Sequence, residues 1–381
     1  MKLLPRLVML FTTTAFCVCN TMAQTVMSPS PYGSSSFLRI APDARSAGLG
    51  DAGVALSPDA NSIYWNASKN AFSDRDFGAS VSYGSWLRSI RDDVWHGTAS
   101  VYKKLGDKQA LAASITHFNW GTDSLYDMSA SPVSIGARRL TDNAFSLAYS
   151  RKLGQNFSMG LTLKYIRSFS PNVISADARD LKAVGVVAGD ISAYYRKEHY
   201  NTTTGRNLTW SLGAVLANIG DKFDYSSSAA APFAFLPTTF KLGGGLSFTR
   251  NGNHKINLIV DASKLVTPTP VNGVNPSGIS PWDAIWKSFS DAPGGFKEEM
   301  QEVILSGGAE YWYKNKLALR GGYFGEHKYK GDVKYFTTGA GVRFCKNYGV
   351  DLSYLIPVRK NSPIAQTYRV SLLVDFGGRM I

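Results

Sequence analysis

From residue 77 to its C-terminus the chain alternates apolar and polar side chains with a period of two, in segments of about ten residues. A period of two is the repeat of an extended strand, whose successive side chains point to opposite faces. In YRVSLLVDF, 368–376, Tyr368, Val370, Leu372, Val374 and Phe376 share one face, and Arg369, Ser371, Leu373 and Asp375 the other. In FSMGLTLKYIRSF, 157–169, Phe157, Met159, Leu161, Leu163 and Tyr165 oppose Ser158, Gly160, Thr162 and Lys164. Periodicity alone suits a soluble sandwich or a membrane barrel equally. Length separates them: soluble strands run about five or six residues, whereas a tilted strand that crosses a bilayer needs about nine to eleven.

Fourteen strands are expected, near 77–87, 94–104, 110–120, 143–153, 157–169, 184–196, 208–219, 238–250, 254–264, 303–313, 316–325, 334–345, 348–358 and 366–376. Their connections alternate in length. One set is short, at 106–109, 154–156, 251–253, 314–315 and 346–347, with 197–207 as a longer member. The other set is mostly long, at 121–142, 170–183, 220–237, 265–302 and 326–333, with 88–93 and 359–365 as shorter members. Short turns on one side and long loops on the other is the pattern of a bacterial outer-membrane barrel, with an even strand count placing both ends at the periplasmic, short-turn side. Trp86, Trp95, Trp120, Tyr149, Trp210, Tyr313 and Tyr354 lie near strand ends, where interfacial aromatic girdles fall. No run of 18 apolar residues exists, which excludes helical spans. The expected fold is therefore all-β: a 14-stranded antiparallel transmembrane β-barrel over 77–381, closed so that every backbone polar group in lipid has a partner.

The first 23 residues read as a secretory signal. Lys2 and Arg6 precede the apolar run LVMLFTTTAFCVC at 7–19, and TMA at 21–23 supplies a small-residue cleavage site after Ala23. Cys17 and Cys19 follow bulky Phe16 and Val18, where lipoprotein processing wants a small residue, so lipidation is the minor alternative. The exported part then keeps one cysteine, Cys345, expected to be a packed small hydrophobe. His96, His117, His199, His254 and His327 have no metal-ligand spacing, and neither a metal nor a cofactor is expected. The formal charge of +13 fits an anionic surface or a solvated excess equally. Nucleic acid is excluded as a partner, because the basic residues are dispersed and no recognition motif accompanies them.

One motif points elsewhere. GLGDAG at 48–53 has the G-x-G-x-x-G spacing of a dinucleotide-binding turn, and Asp74 stands roughly where the ribose acid would. That turn requires a buried strand before it and a parallel crossover after it. The preceding FLRIAPDARSA, 37–47, is broken by Pro42 and charges, and no crossover follows. Gly48, Gly50 and Gly53 more plausibly let backbone pack closely against a neighbouring wall.

The stretch that holds them, APDARSAGLGDAGVALSPDANSIYWNAS at 41–68, resembles the N-terminal segment of FadL-like outer-membrane proteins. The resemblance implies that 24–76 is a glycine-rich hatch folded into the lumen, with Gly48, Gly50, Gly53 and Asn66 packing it there. Trp65-Asn66-Ala67-Ser68 stands where many relatives show N-P-A. A narrower likeness covers essentially the whole exported chain. IAPDARSAGLGDAGVALSPDAN at 40–61, SFSDAPGGFKEEMQE at 288–302, AEYWY at 309–313, RGGYF at 320–324 and KYFTTGAG at 334–341 are together similar to the PorV family. That family is the outer-membrane component of type IX secretion, also described as a candidate lipopolysaccharide O-deacylase. Membership would imply binding the C-terminal signal domain of secreted cargo. The cargo would pass from the translocon barrel to the surface sortase complex, which joins it to lipopolysaccharide in the outer membrane.

The longest loop, 265–302, is the expected contact surface. It opens with TPTPVNGVNPSG and then turns helical in PWDAIWKSFSD, where Trp282, Ile285, Trp286 and Phe289 form one apolar stripe that ends at Asp291, Pro293, Gly294, Gly295 and Phe296. The stripe can pack on the barrel rim, lie in the lipid interface or face a partner. Glu298, Glu299 and Glu302 read as a solvated helical turn. Loop 220–237 leads into Phe233, Phe235 and Leu236, expected to join the stripe in one apolar rim that docks cargo. Two other functions stay open: a FadL-type channel for hydrophobic small molecules, and an O-deacylase. An enzyme is not expected. No G-x-S-x-G elbow occurs, although His96, His117 and serines on nearby strands leave room for an assembled triad.

Overall fold

The computed structural model describes residues 35–127, 133–168, 183–201, 205–224, 233–250, 252–270 and 278–377. The signal stretch and the first part of the hatch segment, up to residue 34, lie outside them, as do loop residues 169–182, 225–232 and 271–277. Among the described residues sixteen strands follow the N-terminal segment: β1 Phe77–Ser85, β2 Trp95–Lys104, β3 Gln109–Asp127, β4 Val133–Lys152, β5 Phe157–Ser168, β6 Val184–Asn201, β7 Arg206–Gly220, β8 Phe223–Asp224, β9 Phe233–Ala234, β10 Thr239–Arg250, β11 His254–Leu265, β12 Ile304–Tyr313, β13 Leu317–Gly325, β14 Lys334–Phe344, β15 Tyr348–Pro357 and β16 Tyr368–Phe376. All but β8 and β9 form one closed antiparallel barrel of fourteen strands, sealed by β1 against β16 from Phe77↔Phe376 to Gly84↔Arg369. Among the described residues no helix is long and apolar enough to cross a membrane.

The alternation fixes which face is which. Leu161, Leu163, Tyr165 and Leu372 are exposed on the outer wall, while Ser158, Thr162, Lys164, Arg369 and Ser371 are buried inside. A wall that is apolar outside and polar inside suits hydrocarbon around it and a polar filling within.

Four expectations change. Residues 121–127 and 133–142 are not a loose connection: β3 and β4 stay paired along them to Asp127 opposite Val133, with irregularities at Asn119/Thr122 and Leu125/Tyr126. In the expected 197–207 connection, residues 197–201 of β6 and 206–207 of β7 likewise continue the ladder, with Asn201 opposite Arg206. Trp86 and Trp120 do not join the outer girdle but pack on a buried cluster with Phe118, and Trp120 Nε1 donates to Asp142 at 2.7 Å. A buried indole N–H needs a partner, and the lumen side supplies one. Cys345 is exposed, in the turn after β14 at φ 50°, instead of packed.

Candidate functional site

The segment from Ser35 to Phe72 lies inside the barrel. Gly50 N donates to Thr337 on β14, while Ser158 on β5 donates to the Ser68 carbonyl, and these two strands stand diametrically opposite in the ring. Two short helices, α1 Ala44–Ala47 and α2 Ser62–Trp65, organise it. Asp43 caps α1 by accepting from Ser46 N at 2.8 Å, and its other oxygen accepts from Trp65 Nε1 at 2.7 Å, which ties α1 to α2. Burial raises the Asp43 carboxyl above its usual range, with Asp59 adding to the effect.

Each glycine of the GLGDAG motif sits where backbone meets a wall or ring. Gly50 has φ +73°, and a Cβ there would stand 2.3 Å from the Tyr323 carbonyl oxygen. Gly48 lies against Arg320, and Gly53 against the Trp65 ring. Gly53 N and Val54 N both donate to Asp261, at 2.7 and 2.9 Å. Asn66 Nδ2 donates to the carbonyls of Val54 and Ala193, at 3.1 and 3.0 Å, which joins the plug to β6. Burial pushes the Lys69 ammonium down to about 8, and its Nζ donates to the Gly53 carbonyl at 2.6 Å.

An ionic lock holds this plug. Arg45 Nε and Nη2 donate to both oxygens of Glu310 at 3.0 Å. Arg320 bridges Glu310 and Asp351 at 2.9 Å each, and Arg343 grips Asp351 at 3.0 and 2.8 Å. Asp59 closes the chain on Arg45 at 3.0 Å. Three guanidinium groups and three carboxylates therefore balance, which is the condition under which buried charge is tolerated. The sequence reading missed this lock, although AEYWY, RGGYF and the plug motif carry Glu310, Arg320 and Arg45. Glu310 and Arg320 face each other across the β12–β13 hairpin, a pairing that strand spacing does offer, whereas Arg45 and Asp351 reach them only through the tertiary fold.

The mouth is capped from within. Phe37, Leu38 and Ile40 of the plug cluster with Phe118, Ile166, Phe223 and Leu236. Phe235 and Leu236 are thus buried, not part of an exposed rim: Leu236 joins the apolar cluster with the plug, and Lys222 Nζ lies over the Phe235 ring, 4.9 Å from its centroid. Phe233 pairs with Asp224 in the β8–β9 ladder, and its side chain lies outside the described part. His96 faces the lumen, whereas His117 faces the outside and bonds Asn143 at 2.7 Å, so the wall separates them.

The described part of loop 265–302, residues 265–270 and 278–302, forms a second unit, a flap. Helix α3, Pro281–Lys287, starts at Ser280, whose hydroxyl accepts from Asp283 N at 3.1 Å, with Pro281 in the first turn. The predicted stripe splits: Ile285 is 4 % exposed, while Trp282, Trp286 and Phe289 are exposed, Trp286 at 72 %. Asp291 is an internal tie, accepting from Thr269 N and Oγ1 at 2.8 and 3.0 Å. Pro293, Gly294 and Gly295 form an exposed turn, with Gly295 at φ +66°, and helix α4, Phe296–Gln301, follows. The acidic turn is not solvated. Glu299 and Glu302 are buried: Lys264 Nζ donates to Glu299 at 2.8 Å and to Glu302, and Lys330 Nζ donates to Glu298 and to Glu302, the latter at 3.0 Å. Two lysines on neighbouring elements draw the carboxylates down, which turns Phe296, 80 % exposed, and Met300 outward on the opposite helix face.

Residues 28–272 match the family model of the type IX secretion system protein PorV. No curated protein matches the chain in sequence. Among solved structures, the chain is similar to the P. putida toluene transporter TodX, at 10 % identity and a TM-score of 0.49, covering 92 % of this chain and 100 % of that one. A TodX deltaS2S3 mutant, a monoaromatic hydrocarbon channel, gives 11 % identity and a TM-score of 0.50 over 89 % and 99 %. The Ralstonia pickettii toluene transporter TbuX gives 11 % and 0.45 over 88 % and 98 %. At these identities the likeness speaks to the barrel fold alone.

Proposed function

The chain belongs to the PorV family of type IX secretion system proteins, an outer-membrane β-barrel of FadL-like fold, and we propose that it works by binding at its extracellular surface. In this reading it receives the C-terminal signal domain of secreted cargo from the translocon barrel. It then hands the cargo to the surface sortase complex, beside lipopolysaccharide.

The filled lumen carries the proposal. Plug and wall meet through a balanced ionic lock and through hydrogen bonds on opposite sides of the ring. The space left between them is lined by Asp51, Lys164, Lys241 and Asp261 as well as Tyr64 and Trp65. Charged walls oppose the passage of an apolar molecule, which favours surface binding over a channel for hydrophobic small molecules. The candidate cargo contact is the outward turn and helix at Pro293, Gly294, Gly295, Phe296 and Met300, since an exposed aromatic beside a rigid turn makes a strong anchor.

Capture of a cargo signal domain by purified Phe296→Asp/Met300→Asp protein tests this. Recovery is expected to fall by about tenfold or more, as loss of an anchor implies. Undiminished recovery on a heat-modifiable, folded barrel would count against it. In cells, deletion of the protein should remove cargo from the surface; normal secretion with impaired hydrophobic uptake would favour the channel.

A further inference from the structure

The strand parity at the top of β10 and β11 places the flap on an unexpected side of the wall. On β10, Lys241 faces inward, with its Nζ 5.3 Å from the Tyr64 and Trp65 rings of the plug. Leu242, Leu246 and Phe248 face outward and are exposed. Phe240 therefore faces outward, at the long-loop end. Its register partner on β11 is Lys264. On that strand Ile256, Leu258 and Val260 are the exposed, outward residues, so Lys264 shares the outward parity.

An outward lysine at the edge of a hydrocarbon band normally reaches for headgroups or water. Lys264 instead is buried beneath Glu299 and Glu302. A separate part of the same loop makes a second contact: the Phe289 ring meets the Phe240 ring edge-on, with centroids 6.3 Å apart at 75°. Two independent contacts thus fold the flap down over the outside of the barrel, not across its mouth.

Helix α3 then has a definite orientation. Ala284, Ile285 and Ser288 are buried on one side. Trp282, Trp286 and Phe289 fall at i, i+4 and i+7 on the other, and Phe289 continues directly into the outward row of Phe240 and Leu242. Lys287 is exposed on the same short helix. Tryptophan with lysine on a helix beside hydrocarbon is the composition of an interfacial element.

We propose that α3 is a lipid-interface helix: Trp282, Trp286 and Phe289 are immersed at the headgroup–acyl boundary of the outer leaflet, with Lys287 at the level of the anionic headgroups. The Lys264–Glu299–Glu302–Lys330 cluster is the hinge pin that holds the helix at that depth. The occupant of this face is lipid because the face is continuous with the barrel's own lipid-facing band. Phe296 and Met300, on the next helix, remain for protein.

Spin labelling at Trp286→Cys in a Cys345→Ser background tests this, with Leu242→Cys and Gly294→Cys as references, in nanodiscs of anionic and zwitterionic lipid. The 286 label is expected to collide with oxygen as the 242 label does. Its collisions with an aqueous nickel chelate should be about fivefold fewer than at 294, as burial of 5–10 Å in the interface implies. A 286 label as water-accessible as the one at 294 would overturn the proposal. So would a 286 label that becomes protected only when cargo signal domain is added, which would assign the face to a protein partner. Trp286 is exposed in the protein alone, so its replacement leaves the barrel folded, and heat-modifiability on gels checks this.

Discussion

Plug and flap are the same device applied to opposite faces of one wall. Each is a segment outside the barrel ladder that folds back on it, and each is held by buried ion pairs rather than by strand pairing. They differ in what they leave over. The plug buries Phe37, Leu49, Val54 and Trp65 completely or nearly so, since wall surrounds it. The flap has wall on one side only, and Trp282, Trp286, Phe289 and Phe296 stay exposed. A segment finished on all sides serves the barrel, and one finished on a single side is made for something outside it.

This contrast can be broken at both ends. The largest effect is expected from Glu310→Gln, which leaves Arg45 and Arg320 buried without their shared carboxylate. Loss of one member of a buried pair costs about 3–5 kcal/mol. Residues 43–57 should become open to protease while the barrel stays heat-modifiable. Gly50→Ala comes next: a left-handed backbone and a Cβ facing the Tyr323 carbonyl cost about 1–3 kcal/mol, seen as faster hydrogen exchange in the plug alone. Glu302→Gln should loosen only the flap, by about 1 kcal/mol, because Lys264 keeps Glu299 and Lys330 keeps Glu298; labelling of a cysteine at 297 would report it. Phe296→Asp should change barrel stability by less than about 0.5 kcal/mol in a denaturant titration, although cargo capture falls. Equal stability losses from Glu310→Gln and Phe296→Asp would erase the distinction.

Much of the wall was legible, because a period of two survives wherever one face meets lipid and the other a lumen. Strand ends agreed within a few residues, apart from β3, β4 and β6, whose paired extensions run into stretches where no apolar alternation marks them. The glycines of GLGDAG announced close approach, and Gly50 requires it. The lock could be read only in part: Glu310 and Arg320 face each other across the β12–β13 hairpin, but Arg45 and Asp351, far away in the sequence, join them only when the N-terminal segment enters the barrel and β15 adds to the sheet. The split of the α3 stripe was hidden. Helical spacing groups Ile285 with Trp282 and Trp286, but the side that meets the wall is set by Phe240 and Lys264, which lie on other elements.

The most direct measurement locks the plug in place and asks whether secretion continues. The Cβ position of Gly48 stands 3.4 Å from Arg320 Cβ, close to the spacing of about 3.5–4.5 Å that a disulfide takes. Gly48→Cys/Arg320→Cys, in a Cys345→Ser background, leaves Glu310 paired with Arg45 and Asp351 paired with Arg343. If the protein acts at its surface, cells carrying the oxidised form display type IX cargo at the wild-type level. Cargo display lost on oxidation and restored by reductant would contradict the account and place the working path through the lumen.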